Sequence, residues 1–278
     1  MVVGLSRGRQ RLLRRIASRK GREAERVVLL EGPRVLETAL EYGAEVLFVA
    51  HDESRSGILS PKVTSRLDET GAETIGIAPG ELAEFSDTER SQGILAVARE
   101  PNETELPGLG CEAAVSPSGT LVLDGVRDPG NAGTLIRVAA AFGVPRVIAI
   151  DGTVDLWNAK AVRASAGLIF RTEVQRLGWE AVEAWLRGGC VSLVVGDPRG
   201  TNVQDWIRLG EMSSACPSWA LLMGNETTGP RPEALEAADA RVSIPMESGV
   251  DSLNVATAGA ILLWALGPGR APERKNSP

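Results

Sequence analysis

An α/β architecture is predicted for both parts of this 278-residue chain: a small mixed module in front, and behind it a mostly parallel sheet with helices on both faces. Two patterns predict it. Short apolar strands alternate with helical stretches throughout, and in the second half strand–helix–strand order recurs with strands apolar enough to be buried on both sides. Between the halves, residues 101–118 hold Pro101, Pro107, Gly108, Gly110 and Pro117 with little periodicity, which marks a linker.

The front module, residues 1–100, opens on an arginine-rich helix. Within residues 1–26, nine basic side chains stand against Glu23 and Glu25, a balance of +7; the chain as a whole carries −6, so the remainder carries −13. A basic stripe on an acidic body attracts phosphates locally whatever the overall charge. Arg11, Arg14 and Arg15 are therefore candidate nucleic-acid contacts, with a solvated helix face as the bland alternative. Val27–Leu30 follows as a strand, and Arg34–Tyr42 as a helix stopped by Gly43. Val46–Ala50 is a strand, Lys62–Glu69 a helix closed by Gly71, Thr74–Ile77 a strand, Pro79–Phe85 a helix and Ile94–Ala98 a last strand.

Several classes fall away. No apolar run nears the roughly 18 residues of a membrane span, and the basic amino terminus lacks the apolar core and cleavage site of a secretory signal, so a cytoplasmic protein is expected. Cys111, Cys190 and Cys216 are odd in number and far apart, without metal-ligand spacing; free thiols and no metal are expected.

In the second half, Leu121–Leu123, Arg146–Ile150, Val191–Val195, Ala220–Met223 and Arg241–Ile244 are strands. Asn131–Phe142, Asn158–Gly167, Trp179–Arg187 and Asn254–Leu266 are helices. This second domain spans 119–270, leaving 271–278 as a flexible tail. Loops at the carboxyl edge of such a sheet are where ligands bind, and three segments there look like a site. In Leu121-Val-Leu-Asp-Gly-Val-Arg-Asp-Pro-Gly-Asn-Ala-Gly-Thr-Leu-Ile-Arg137, Asn131 suits a helix N-cap, and Arg137 sits among apolar neighbours as a buried guanidinium pointing back toward the Asn131 loop. Leu221-Leu-Met-Gly-Asn-Glu-Thr-Thr-Gly-Pro230 is a tight loop where backbone can approach a ligand, yet it is neither a P-loop nor a dinucleotide fingerprint. In Val242-Ser-Ile-Pro-Met-Glu-Ser-Gly-Val-Asp-Ser-Leu-Asn-Val-Ala256, Ser252 and Asn254 bracket Leu253 where a helix begins, and capping accounts for only one of them.

In order and separation, these segments resemble the SpoU/TrmH family of RNA ribose methyltransferases, within the knotted SPOUT superfamily. Lys160-Ala-Val-Arg-Ala-Ser-Ala-Gly167 is similar to the same family, and Glu31-Gly-Pro-Arg-Val-Leu-Glu37 and Asp87-Thr-Glu-Arg-Ser-Gln-Gly-Ile94 resemble the L30e-type substrate-binding domain often fused to it. The resemblance implies a deep trefoil knot at the carboxyl end, with S-adenosylmethionine held by Gly196, Asp197, Gly224, Asn225, Ile244 and Leu253. It implies Asn131, Arg137, Glu226, Ser252 and Asn254 around the acceptor ribose, and RNA gripped by the amino-terminal arginines with Lys160 and Arg163. Ribosomal RNA is favoured over transfer RNA.

Methyl transfer to a 2′-hydroxyl is chiefly a positioning problem. The one histidine, His51, lies in the front module and has no catalytic part. A guanidinium stays protonated, so Arg137 is expected to grip a phosphate and polarise the hydroxyl while Asn131, Ser252 and Asn254 orient ribose and donor; Glu226 orients Arg137 or accepts a hydrogen bond. Two rival readings stay open: a noncatalytic RNA-binding protein, and a nucleotide-dependent dehydrogenase, which the missing glycine fingerprint disfavours. The apolar terminal helix, with Leu262, Leu263, Trp264 and Leu266, points to a homodimer.

Overall fold

The computed structural model describes residues 4–78, 80–86, 91–102, 119–189, 191–209, 218–250 and 252–267. The three cysteines, most of the linker, residues 87–90 and the tail 271–278 lie outside them. The chain forms two compact units, one of Met1–Asn102 with Asp155–Arg171, the other of Glu103–Val154 with Thr172–Pro278. The front unit thus takes back a segment, Asp155–Arg171, that the sequence pattern assigns to the second domain.

The expected single basic helix is two, α1 (Arg7–Ile16) and α2 (Arg19–Glu25). They divide because Ser18 turns extended and caps α2, its hydroxyl accepting from the Gly21 N–H at 3.1 Å. Beyond them come β1 (Val27–Glu31), α3 (Pro33–Glu41), β2 (Val46–Asp52), α4 (Pro61–Thr70), β3 (Glu73–Ile77) and β4 (Ile94–Arg99). The helix expected from Pro79 is a short 3-10 turn, Glu81–Phe85. The sheet runs β1-β4-β2-β3, with only the β2–β3 pair parallel.

In the second unit β5 (Gly119–Asp124), α5 (Pro129–Ala141) and β6 (Arg146–Ile150) come first. The chain then gives α6 (Ala159–Ala164) to the front unit, where Ala159 joins the apolar core. The buried Arg22 donates there to Asp155 through Nε at 3.0 Å and Nη2 at 2.6 Å. Back in the second unit follow β7 (Glu173–Leu177), α7 (Trp179–Gly188), β8 (Val191–Asn202), α8 (Val203–Leu209), β9 (Ser218–Gly224), α9 (Pro232–Ala237), β10 (Ala240–Ser243) and α10 (Val255–Leu266). The sheet order is β10-β8-β9-β5-β6-β7, parallel in every pair, as the strand–helix alternation predicts.

Side chains alternate across each strand. Val122, Ile148, Leu193 and Leu222 meet Trp179, Val182 and Trp185 of α7 and Ala234 of α9 in one core. On the other face a Cβ at Gly259 of α10 would lie 2.2 Å from Leu135 Cδ2 and 3.6 Å from Met223, so α10, α5 and β9 are in close contact. Leu262, Leu263 and Leu266, expected at a dimer face, are buried within this chain; only Trp264 of that set is exposed, as is Ile261 three residues before it. Among the described residues no helix is long and apolar enough to cross a membrane.

Candidate active site

β5, β8, β9 and β10 end side by side, and their carboxyl ends open onto a cavity of about 1010 Å³, at the upper limit of ordinary ligand sites. Its walls include the glycines Gly196 and Gly224, the loop Ile244 and Leu253, and a floor of Met223, Val242 and Leu262. Gly224 is required on steric grounds: an added Cβ would stand 2.2 Å from Pro230 N and 2.5 Å from Gly229 C, backbone atoms that cannot move aside. The turn that presses on it is tied by Asn225, whose Oδ1 accepts from the N–H groups of Thr227 and Thr228, at 2.9 and 3.0 Å, while Nδ2 donates to Gly125 O at 2.7 Å. The Asn225 side chain is thus spent on holding the loop.

β8 interrupts its ladder with β10 at the cavity wall, where the register shifts between Arg241 and Val242. Asp197 sits in that interruption, its side chain 3% exposed. Its Oδ1 accepts from Arg199 N–H at 3.0 Å, and Oδ2 is buried without a partner among the described residues. An unsatisfied buried acceptor costs on the order of 1–3 kcal/mol, so the site stores an unused acceptor.

At the mouth the three motifs meet in one chain of hydrogen bonds. Asn254 caps α10, its Oδ1 accepting from the N–H groups of Ala256 at 2.9 Å and Thr257 at 3.3 Å. Its Nδ2 donates to Asn131 Oδ1 at 3.0 Å, and Asn131 Nδ2 donates to Glu226 Oε1 at 3.0 Å. The backbone of α10 fixes the direction of the whole chain: because Asn254 must present its oxygen to the helix, Asn131 must present its amide to Glu226. Asn131 is free for this because it is not the cap expected from the sequence. Pro129 takes the first helical position and Asp128 is the cap, accepting from Asn131 N–H at 2.9 Å.

The expected site residues are divided. Gly196, Asp197, Gly224, Asn225, Glu226, Ile244, Ser252 and Leu253 line the cavity, and Asn131 and Asn254 join it through Glu226. Arg137 departs from expectation. It is exposed, lies outside the cavity lining and has no ion pair or hydrogen-bond partner among the described residues. On α5, Leu135, Ile136, Ala139 and Ala140 turn inward, and residue 137 falls on the opposite side of the 3.6-residue period. Glu226 accordingly holds Asn131 rather than Arg137. Of the RNA set, Arg14 is paired with Glu84, Arg15 with Glu25 and Arg163 with the buried Glu31, whereas Arg11 is exposed without a partner among the described residues and Lys160 is exposed.

Sequence reasoning missed Asp124 and Arg231. Asp124 ends β5, 5% exposed at its side chain, and accepts from the Arg231 N–H and Nε, both at 2.8 Å. Arg231 also stacks over Trp179, 5.7 Å from the ring centroid. The one available signal was an acid closing an otherwise apolar strand.

Compared with known proteins, residues 118–264 match the model of the SpoU rRNA Methylase family, more than half of the chain. The chain belongs to that family. Residues 10–96 match the MRM3-like substrate binding domain. Among relatives, the 23S rRNA (guanosine(2553)-2′-O)-methyltransferase RlmP of Bacillus subtilis is 31% identical over 254 residues, covering 91% of this chain and 93% of its own. The human mitochondrial rRNA methyltransferase 3 is 29% identical, covering 90% of this chain and 69% of its own. Among solved structures, an AdoMet-bound rRNA methyltransferase from Sinorhizobium meliloti has a TM-score of 0.79 at 25% identity, with 95% of both chains covered. With that membership, the dehydrogenase reading falls away.

Proposed function

We propose that this chain transfers the methyl group of S-adenosylmethionine to a ribose 2′-hydroxyl of ribosomal RNA. The observation that carries it is the directed chain Asn254–Asn131–Glu226, which joins all three family motifs at the mouth of a glycine-walled cavity. The relatives named for rRNA methylation support the substrate class.

The residues present fit the donor. Gly196 and Gly224 line the cavity without a side chain, Gly224 also letting its own turn close tightly, Met223, Val242 and Leu262 offer apolar lining for a base, and Asp197 Oδ2 lacks a donor that a bound ligand can bring. When bound, S-adenosylmethionine supplies an electrophilic sulfonium methyl. This chain's residues orient: Asn131 and Asn254 fix the ribose, Ser252 adds a hydroxyl at the cavity wall, and Glu226, which lines the cavity, holds Asn131 through Oε1 and leaves Oε2 to accept from the acceptor hydroxyl. Arg137, exposed on the helix that α10 packs against, completes a site in a homodimer closed over the face that carries Ile261 and Trp264. In that reading its guanidinium becomes buried on pairing, polarises the hydroxyl and grips a phosphate. A knotted carboxyl end, an L30e-like front unit that recruits RNA, and a cytoplasmic location belong to the same proposal.

The test is methylation of unmodified 23S rRNA transcripts by the purified chain with S-adenosylmethionine, read by mass spectrometry of nucleosides. A 2′-O-methylated nucleoside is expected, lost in Glu226→Ala. RNA binding without donor binding by calorimetry would instead leave a noncatalytic RNA-binding protein.

A further inference from the structure

Resting on the methyltransferase reading, we propose that Arg127 grips a phosphate of the RNA strand at the cavity mouth and so positions the acceptor nucleotide from within the same chain. The loop from Gly125 to Asp128 is clamped at every residue except this one. Gly125 takes a left-handed φ of 72°. Its N–H donates to Thr153 Oγ1 at 2.9 Å, and its carbonyl accepts from Asn225 Nδ2 at 2.7 Å. Val126 is fully buried and its carbonyl accepts from Val154 N–H at 2.9 Å. Asp128 is fixed as the cap of α5. Arg127, between them, lines the cavity, is exposed, and has no ion pair or hydrogen-bond partner among the described residues.

The other two guanidiniums on the cavity wall each have a carboxylate partner, Arg231 in Asp124 at 2.7 Å and Arg199 in Asp197 at 3.4 Å. Everything after residue 26 carries a balance of −13, so a polyanion nearing this mouth meets an acidic body and needs a local cation. A guanidinium presents a planar fork that matches the two free oxygens of a phosphodiester. Because its loop is already rigid, little backbone order is lost when it binds. An exposed position also suits a strand that stays largely in solvent, whereas the carboxylate of a donor would bind within the cavity.

The experiment compares the full chain with Arg127→Gln and Arg127→Lys, using an unmethylated 23S rRNA transcript across about 50–200 mM salt. In Arg127→Gln, the slope of log affinity against log salt should fall by about 0.7–0.9, the loss of one phosphate contact. The KM for RNA should rise on the order of tenfold with kcat within about twofold, and S-adenosylmethionine affinity by calorimetry should stay as in the wild type. Arg127→Lys should keep the slope. An unchanged slope and KM in Arg127→Gln overturns the inference, and so does a loss of S-adenosylmethionine affinity, which would assign Arg127 to the donor's carboxylate. Both results leave the parent reading standing if the wild type methylates; a wild type that binds no S-adenosylmethionine brings down both.

Discussion

Asn254 has two tasks that a pair of substitutions separates. Its side-chain oxygen caps α10 through two backbone N–H groups, and its amide donates to Asn131. In Asn254→Ala both go. A lost cap costs about 1 kcal/mol and a lost, solvent-exposed hydrogen bond about 0.5–1 kcal/mol, the lower part of the usual range. Together they come to about 2 kcal/mol, or roughly 4–8 °C in the melting of a unit of this size. In Asn254→Asp the cap survives, since a carboxylate accepts the same N–H groups and suits a helix N-terminus. It cannot donate to Asn131 Oδ1, and if the Asn131 amide turns over to meet it, Asn131 loses its bond to Glu226. Differential scanning calorimetry should therefore find the Asp variant within about 1 kcal/mol of wild type, while both variants lose on the order of 10²-fold in kcat/KM for methylation. An Asp variant that methylates at nearly the wild-type rate would refute the directed chain, and one that melts with the Ala variant would refute the cap.

Gly224→Ala should abolish S-adenosylmethionine binding by calorimetry, because its Cβ meets backbone at 2.2 Å; Gly259→Ala meets only the end of Leu135, and should bind the donor at a cost of about 1–3 kcal/mol in stability. Arg22→Ala strands the buried Asp155 and should destabilise the front unit by about 3–5 kcal/mol in urea titration, whereas Arg22→Met with Asp155→Leu should recover most of the loss. The Asp52 carboxyl is held below its usual range, first by the Ser54 hydroxyl and then, against an opposing burial effect, by the Ser54 N–H and Arg55. A lowered folded pKa means stability that is present above about pH 4 and lost as pH falls through the folded value. Asp52→Asn should flatten that acid limb of the urea midpoint against pH.

The central strands were legible because they are continuous apolar runs bounded by turn residues. β7 was not: Glu173-Val-Gln-Arg-Leu177 ends the sheet, pairs on one side only, and mixes polar with apolar positions. α8 and α9 are too short for a helical period to declare itself. At the site, the glycines and the Asn-Glu pair were readable as residue types, but their roles depend on contacts across long stretches of chain. Asn131 is a good cap residue by type, but Asp128, three residues earlier and followed by Pro129, already supplies the cap. The apolar neighbours of Arg137 point to burial, yet a helix at the surface turns one residue of each period outward, and Arg137 is that residue. The bond between Arg22 and Asp155 crosses 133 residues and leaves no local trace.

Because Asp155–Arg171 departs from the sheet between β6 and β7 and completes the front unit, neither unit is one uninterrupted stretch of chain. A fragment starting at residue 119 would carry Asp155 and the half-buried Arg163 away from Arg22 and Glu31, parting ion pairs in which Arg22, Asp155 and Glu31 are buried in the whole chain. A fragment ending at residue 102 would open its own apolar core where Ala159 belongs. Hybrids with related proteins should therefore fold only when residues 1–102 and 155–171 are exchanged together, so the front unit and its inserted segment behave as one piece.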